Sequence, residues 1–291
     1  MFCHRLFQLG GDFKFIVALP SLKKLKLNSP DKLKDQPCPD FSHGHHLSQL
    51  DMSNCLLSDL NALLPLTSLI ALFLYETQTD DISGLGAFPN LYKFSLGVRG
   101  SSKEPPKSVD GFEALASLSK LTDLSLRAID IKDLSVITTL PLEKLRLSSM
   151  KIGDYFALRE LSILKSVSFY KSDISNFSSL RNNLYLEELD LTKTEVRNLS
   201  AISHFPFLKH LNIHNAIIFN LNPLSVAPPN MKIRGLRNTR LANVLKVQKS
   251  NRSQLSNDEI IEIVSGRTAH SFDPGHGNQV EYNGRDGDSY L

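Results

Sequence analysis

The sequence predicts a solenoid, a chain wound into stacked coils around one apolar spine. Three observations lead there: a fixed repeat period, a two-residue alternation inside each repeat, and an apolar trio spaced by three. Cores of the type Leu-x-x-Leu-x-Leu begin at Leu47, Leu69, Leu91, Leu121, Leu142, Leu164, Leu186 and Leu208. The intervals are 22, 22, 30, 21, 22, 22 and 22 residues, and the single long one marks an insertion. A leucine period in the twenties is the signature of leucine-rich repeats. The expected fold is a leucine-rich-repeat solenoid, a right-handed α/β horseshoe with a parallel β-sheet on its concave face and 3₁₀ turns on its convex face.

The segment from Leu47 to Leu69 shows how one coil is written. Leu50 and Met52 alternate with the period of two that sends strand side chains to one side. Leu57 and Asp59 follow, then Leu60, Leu63 and Leu66. A spacing of three fits a 3₁₀ turn better than an α-helix. Asp59 stands just before the trio, where a side-chain oxygen can satisfy free amides. Asp81, Asp133 and Asp154 hold the same offset, and Asn176, Asn198 and Asn220 take it later. One recurring offset shared by Asp and Asn reads as a capping role, not as a set of catalytic acids.

These motifs resemble the internalin-type leucine-rich repeat, Leu-x-x-Leu-x-Leu-x-x-Asn-x-Ile-x-Asp-Ile-x-x-Leu-x-x-Leu-x-x. The resemblance covers roughly residues 22–233, with a degenerate first repeat at Leu22, Leu25 and Leu27 and a worn last one at Met231 and Ile233. It departs at the asparagine position, which holds Cys55, Thr77, Ile129, Met150, Ser172, Thr194 and Ala216. Thr, Ser and Cys keep a group that can bond to the turn backbone; Ile129, Met150 and Ala216 do not. The resemblance implies a bacterial origin and recognition of host or cell proteins.

The totals fit one elongated unit. Of 291 residues, 41% are hydrophobic, enough to fill a continuous core without any Trp. A net charge of +3 is too small to imply a polyanion partner. Cys3, Cys38 and Cys55 are odd in number and too few for a disulfide framework. Read as free thiols, they favour a reducing compartment. Asp12 and Lys14 interrupt the apolar start, which fits neither a signal-peptide core nor a membrane span. The expected localisation is cytoplasmic, with delivery to a host cell by a specialised secretion system as the alternative.

The expected division is a partial N-terminal cap at 1–21, about ten repeats over 22–235, a helical C-terminal cap at 236–265 and a disordered tail at 266–291. Leu241, Val244 and Leu245 have helical spacing after Thr239, and Ser256 with Glu259 forms a capping box. Residues 1–14 are either a rough cap or the continuation of an upstream portion. Two insertions interrupt the period: Gly100 to Ser108, expected as a surface loop, and the stretch holding Pro37, Cys38, Pro39, His43, His45 and His46.

Function is expected on the outward strand positions. Phe73 is the outlier, because a large ring has no packing reason to face out, and interface centres favour aromatics and Arg. Tyr75 shares its face, Tyr92 borders it, and Lys93, Arg127, Arg146 and Tyr170 extend the stripe. These seven are the candidate partner-binding residues. Cys38, His43, His45 and His46 are ligand types, but their spacing matches no standard zinc motif. His210 and His214 lie about 13 Å apart along one strand, too far to share a metal. The acid-free run Lys232, Arg234, Arg237, Arg240, Lys246, Lys249 and Arg252 could meet nucleic acid or an acidic membrane, yet no aromatic is interleaved for base stacking.

No nucleophile elbow or phosphate-binding glycine loop is present. The reading is therefore a non-enzymatic, monomeric module, expected to use no cofactor or small-molecule substrate and to bind a protein partner on its concave sheet. The alternatives are a regulator that covers an enzyme, a translocated effector, and, least favoured, nucleic-acid or membrane binding through 232–252.

Overall fold

A computed structural model describes residues 19–27, 40–55, 57–98, 107–174, 177–196, 199–236 and 240–241. The strands are β1 (Lys24–Lys26), β2 (Gln49–Asp51), β3 (Ala71–Thr77), β4 (Lys93–Val98), β5 (Asp123–Arg127), β6 (Lys144–Ser148), β7 (Ser166–Ser168), β8 (Glu188–Asp190), β9 (Glu195–Val196), β10 (His210–Asn212), β11 (Ile217–Ile218), β12 (Lys232–Arg234) and β13 (Arg240–Leu241). Ten of them make one sheet in the order β1 through β8, then β10 and β12, and the pairs are parallel. Each repeat therefore adds one strand beside the last.

The spacing of three is explained by the backbone. Leu63 N–H donates to Leu60 O at 2.9 Å, Leu66 to Leu63 at 2.9 Å and Leu69 to Leu66 at 3.1 Å. This i→i+3 ladder puts the apolar trio on one side, where all three leucines are buried. The same ladder joins Ile82, Leu85, Phe88 and Leu91. Every helical segment among the described residues is 3₁₀. The described fold is thus sheet against 3₁₀ turns, and no α-helical layer enters it.

The acidic caps work as Asx turns. Asp59, Asp81, Asp133 and Asp154 each accept from the backbone N–H two residues on, at 2.7–2.8 Å, and Asn220 does so at 2.8 Å. Hydrogen bonding from Ser83 and Ser135 holds the Asp81 and Asp133 carboxyls below their usual range. Asn176 and Asn198 lie outside the described residues.

Where the internalin-type pattern has Asn, the small polar substitutes do bond to the turn. Cys55 Sγ contacts Leu27 O, Thr77 donates to Leu74 O, Thr194 to Leu191 O, and Ser172 donates to Leu147 O while accepting from Met150 N–H. Ile129, Met150 and Ala216 are instead fully buried apolar fillers. The residue before this position turns left-handed in repeat after repeat: Asn54, Glu76, Ala128, Ser149, Lys171, Lys193 and Asn215 have φ between 52° and 64°. After that turn a second, three-stranded parallel sheet forms from β9, β11 and β13.

Leu25 to Leu236 contribute to one continuous buried cluster. Phe41, inside the first insertion, is 1% exposed and belongs to it. In the second insertion Lys107 donates to Gln78 O at 3.2 Å, and 99–106 lie outside the described residues. So do residues 1–18 of the N-terminal cap expected over 1–21, most of the C-terminal cap, and the tail.

Candidate partner-binding surface

Parallel register decides which outward side chains meet. It aligns Asp51, Phe73, Ser95, Ser125, Arg146, Ser168, Asp190 and Asn212 in one row. On one side run Ala71, Lys93, Asp123 and Lys144, and on the other Tyr75, Gly97, Arg127 and Ser148. The inward partners, such as Leu72, Leu74, Phe94, Leu96, Leu124 and Leu126, are fully buried.

Over β3 to β6 the outward residues form a cluster with a small-residue floor. Ala71, Ser95 and Ser125 are buried although they point away from the spine. The Tyr75 ring passes across Gly97, where an added Cβ would stand 2.9 Å from Tyr75 Cδ1. Its hydroxyl donates to Ser125 Oγ at 2.7 Å. Phe73 is half-buried, with Lys93 Nζ 5.3 Å from its ring centroid, within cation–π range.

Asp123 ties the charges together. Its carboxylate lies 3.4 Å from Lys93 Nζ and accepts from Arg146 Nη1 at 2.7 Å. Two cations share one carboxylate, which leaves this trio a net positive charge. Arg127 pairs with Glu76 at 3.4 Å. Phe73, Tyr75, Lys93, Arg127 and Arg146 therefore occupy one continuous patch.

Tyr92 and Tyr170 stand apart from it. Tyr92 precedes β4 at its leading edge and is 40% exposed. Tyr170 follows β7, four strands from Phe73, a lateral distance of about 19 Å. It has its own basic surroundings: Lys193 Nζ donates to its hydroxyl at 2.9 Å and lies 5.2 Å from the ring, with Lys171 at 5.8 Å. Asp123 and Gly97, which organise the patch, were not among the seven expected residues. The signal for Asp123 was the sign change between neighbouring repeats, Lys93 to Asp123 to Lys144.

The C-terminal half of the sheet carries acids and histidines. Burial raises the Asp190 carboxyl above its usual value, opposed by hydrogen bonds from Thr192 and Ser168 and by nearby His214. Burial likewise lowers His210, opposed by Glu188. Among the described residues no three His, Cys, Asp or Glu side chains group as metal ligands. His45 and His46 pack edge to face, 5.5 Å between ring centroids, and Cys38 lies outside the described residues. Of the basic run, Lys232 and Arg234 are described on exposed positions of β12. No helix among the described residues is long and apolar enough to cross a membrane.

Solved structures with the same architecture include an internalin from Listeria monocytogenes, matched with a TM-score of 0.61 and 24% identity over 78% of this chain and 63% of that one. The chain has the internalin-type leucine-rich-repeat fold. Internalin C2 from the same organism matches with a TM-score of 0.54 and 22% identity, covering 65% of this chain and 80% of that one. A Leptospira interrogans leucine-rich-repeat protein matches with a TM-score of 0.63 and 19% identity, covering 86% and 60%. The chain thus spans less than two thirds of the length of the first and third. No family model and no curated protein matches the sequence. At these identities the internalin likeness describes the fold.

Proposed function

We propose that this internalin-type solenoid is a non-enzymatic module that binds a partner protein on the outward face of its sheet, centred on β3 to β6. The observation that carries the reading is the patch itself: Phe73 and Tyr75 lie beside Lys93, Arg127 and Arg146 on strands whose inward side chains already fill the core. The spine requires no aromatic ring outside it. Interfaces draw most of their energy from a few such aromatic and Arg anchors. The basic side chains Lys93, Arg127 and Arg146 beside Phe73 favour a partner that presents an acidic group next to apolar surface.

Tyr92 and Tyr170 join as outlying contacts of a broad partner. A buried Cys55 thiol bonded to a backbone carbonyl suits a reducing compartment, in the cytoplasm or after delivery to a host cell.

The test is affinity capture from source and host extracts with the native chain and a Phe73→Ala/Tyr75→Ala variant, followed by titration calorimetry with the captured protein. Each alanine is expected to weaken binding by more than about 1 kcal/mol. Equal affinity of native and double variant removes the patch as the binding site.

A further inference from the structure

We infer that the turn-to-strand edge of the C-terminal repeats docks a second copy of this chain in antiparallel orientation. Ile163, Tyr185 and Phe207 each precede the first leucine of a repeat, so the 22-residue period stacks them in one row. They are 42%, 59% and 56% exposed, and Leu184 beside them is 52% exposed. The Tyr185 and Phe207 rings stack nearly parallel, 5° between planes and 6.4 Å between centroids.

The coil does not require this row to be apolar. At the same position the earlier repeats place Ser68, Asn90 and Lys120, all exposed. The apolar run is confined to the later repeats and lies outside the Phe73 patch.

The adjoining row identifies the occupant. Glu143, Lys165, Glu187 and Lys209 follow one another across the strand starts, linked by backbone bonds of 2.8 Å from each N–H to the preceding carbonyl. Their charges alternate, negative, positive, negative, positive. Within the chain Lys165 pairs with Glu143 at 3.0 Å and Lys209 with Glu187 at 2.7 Å. Reversed end to end, the same row reads positive, negative, positive, negative. A second copy related by a twofold axis between Lys165 and Glu187 therefore sets Lys165 against Glu187 and Glu143 against Lys209. It also sets Ile163 against Tyr185 of the second copy, with Phe207 over the half-buried Pro141 at the end of the row. A self-complementary patch is what a twofold interface needs.

Four exposed side chains offer only a few hundred Å², below the roughly 800 Å² per partner of a standard interface. The dimer is therefore weak, and association is expected only in concentrated solution.

Sedimentation velocity of the full chain from about 1 to about 500 µM tests this. The native chain is expected to shift from monomer to dimer, and Tyr185→Asp/Phe207→Asp to weaken association at least tenfold with an unchanged melting curve. Lys165→Glu and Glu187→Lys should each weaken it alone. An equimolar mixture of those two variants should restore it, because the mixed pair regains opposite charges at both contacts. A native chain that stays monomeric throughout, or a dimer indifferent to Tyr185 and Phe207, overturns the proposal. Failure of the mixture to recover overturns the antiparallel register.

Discussion

Tyr75 reaches across a whole strand to donate its hydroxyl to Ser125 at 2.7 Å, fifty residues away in sequence. Gly97 lies beneath the ring and makes that path available. Gly97→Ala inserts a methyl 2.9 Å from Cδ1 and lifts the ring off the sheet. We expect folding to survive with a loss of about 1–3 kcal/mol, since overpacking costs that much. Partner affinity should fall together with it, and calorimetry alongside urea denaturation separates the two effects.

Asp123 offers a second handle. Its carboxylate accepts from Arg146 and faces Lys93, and its side chain is only 12% exposed. Asp123→Asn leaves two neighbouring cations without their shared counter-charge. Stability should drop by about 1.5–3 kcal/mol, the range for a hydrogen bond to a charged group. The loss should shrink with added salt, because screening relieves the Lys93–Arg146 repulsion. Urea titrations at low and high ionic strength check both statements.

The left-handed turns predict a gain. Ala128 has φ 55°, a conformation that costs an L-residue about 1–2 kcal/mol. Glycine escapes the clash but loses about 0.5–1 kcal/mol of unfolded-state entropy. Ala128→Gly should therefore stabilise by about 0.5 kcal/mol or slightly more. A lower urea midpoint for the variant would contradict it.

Asp190 predicts a pH dependence. Burial raises its carboxyl in the folded chain, more than Thr192, Ser168 and His214 lower it. The protonated acid is thus the form that folding favours. That contribution is full below the ordinary value near 3.8 and disappears as pH rises through the folded-state value. Above the folded-state value the ionised group carries the whole cost of burial. Asp190→Asn should melt higher than the native chain at pH 7, and the difference should close as pH drops below about 4. Melting curves across this range decide it.

Much of the architecture was legible because burial repeats. Leu60, Leu63 and Leu66 announce their turn by spacing alone, and Asp59 announces its cap. Departures from the rule were not legible. Asn183 is fully buried in a row where other repeats put Leu161, Leu140 or Phe205, and its amide donates to Leu158 O and Leu161 O. A polar residue at an apolar position gives no advance sign of which carbonyls it will reach. Phe41 is similar: it sits in a Pro- and His-rich insertion yet packs in the core.

The sheet face divides the same way. Outward positions followed from two-residue alternation, so Phe73, Tyr75, Lys93, Arg127 and Arg146 could be named beforehand. Their grouping around Asp123, and the distance that separates Tyr170 from them, could not.

Periodicity alone determined the coil, the spine and the side of each strand that faces out, because those depend on local geometry repeated many times. Only the tertiary structure decided which outward groups touch. Contact between them depends on register across strands, on how far each side chain reaches and on the missing Cβ at Gly97, and none of these is a property of a single repeat.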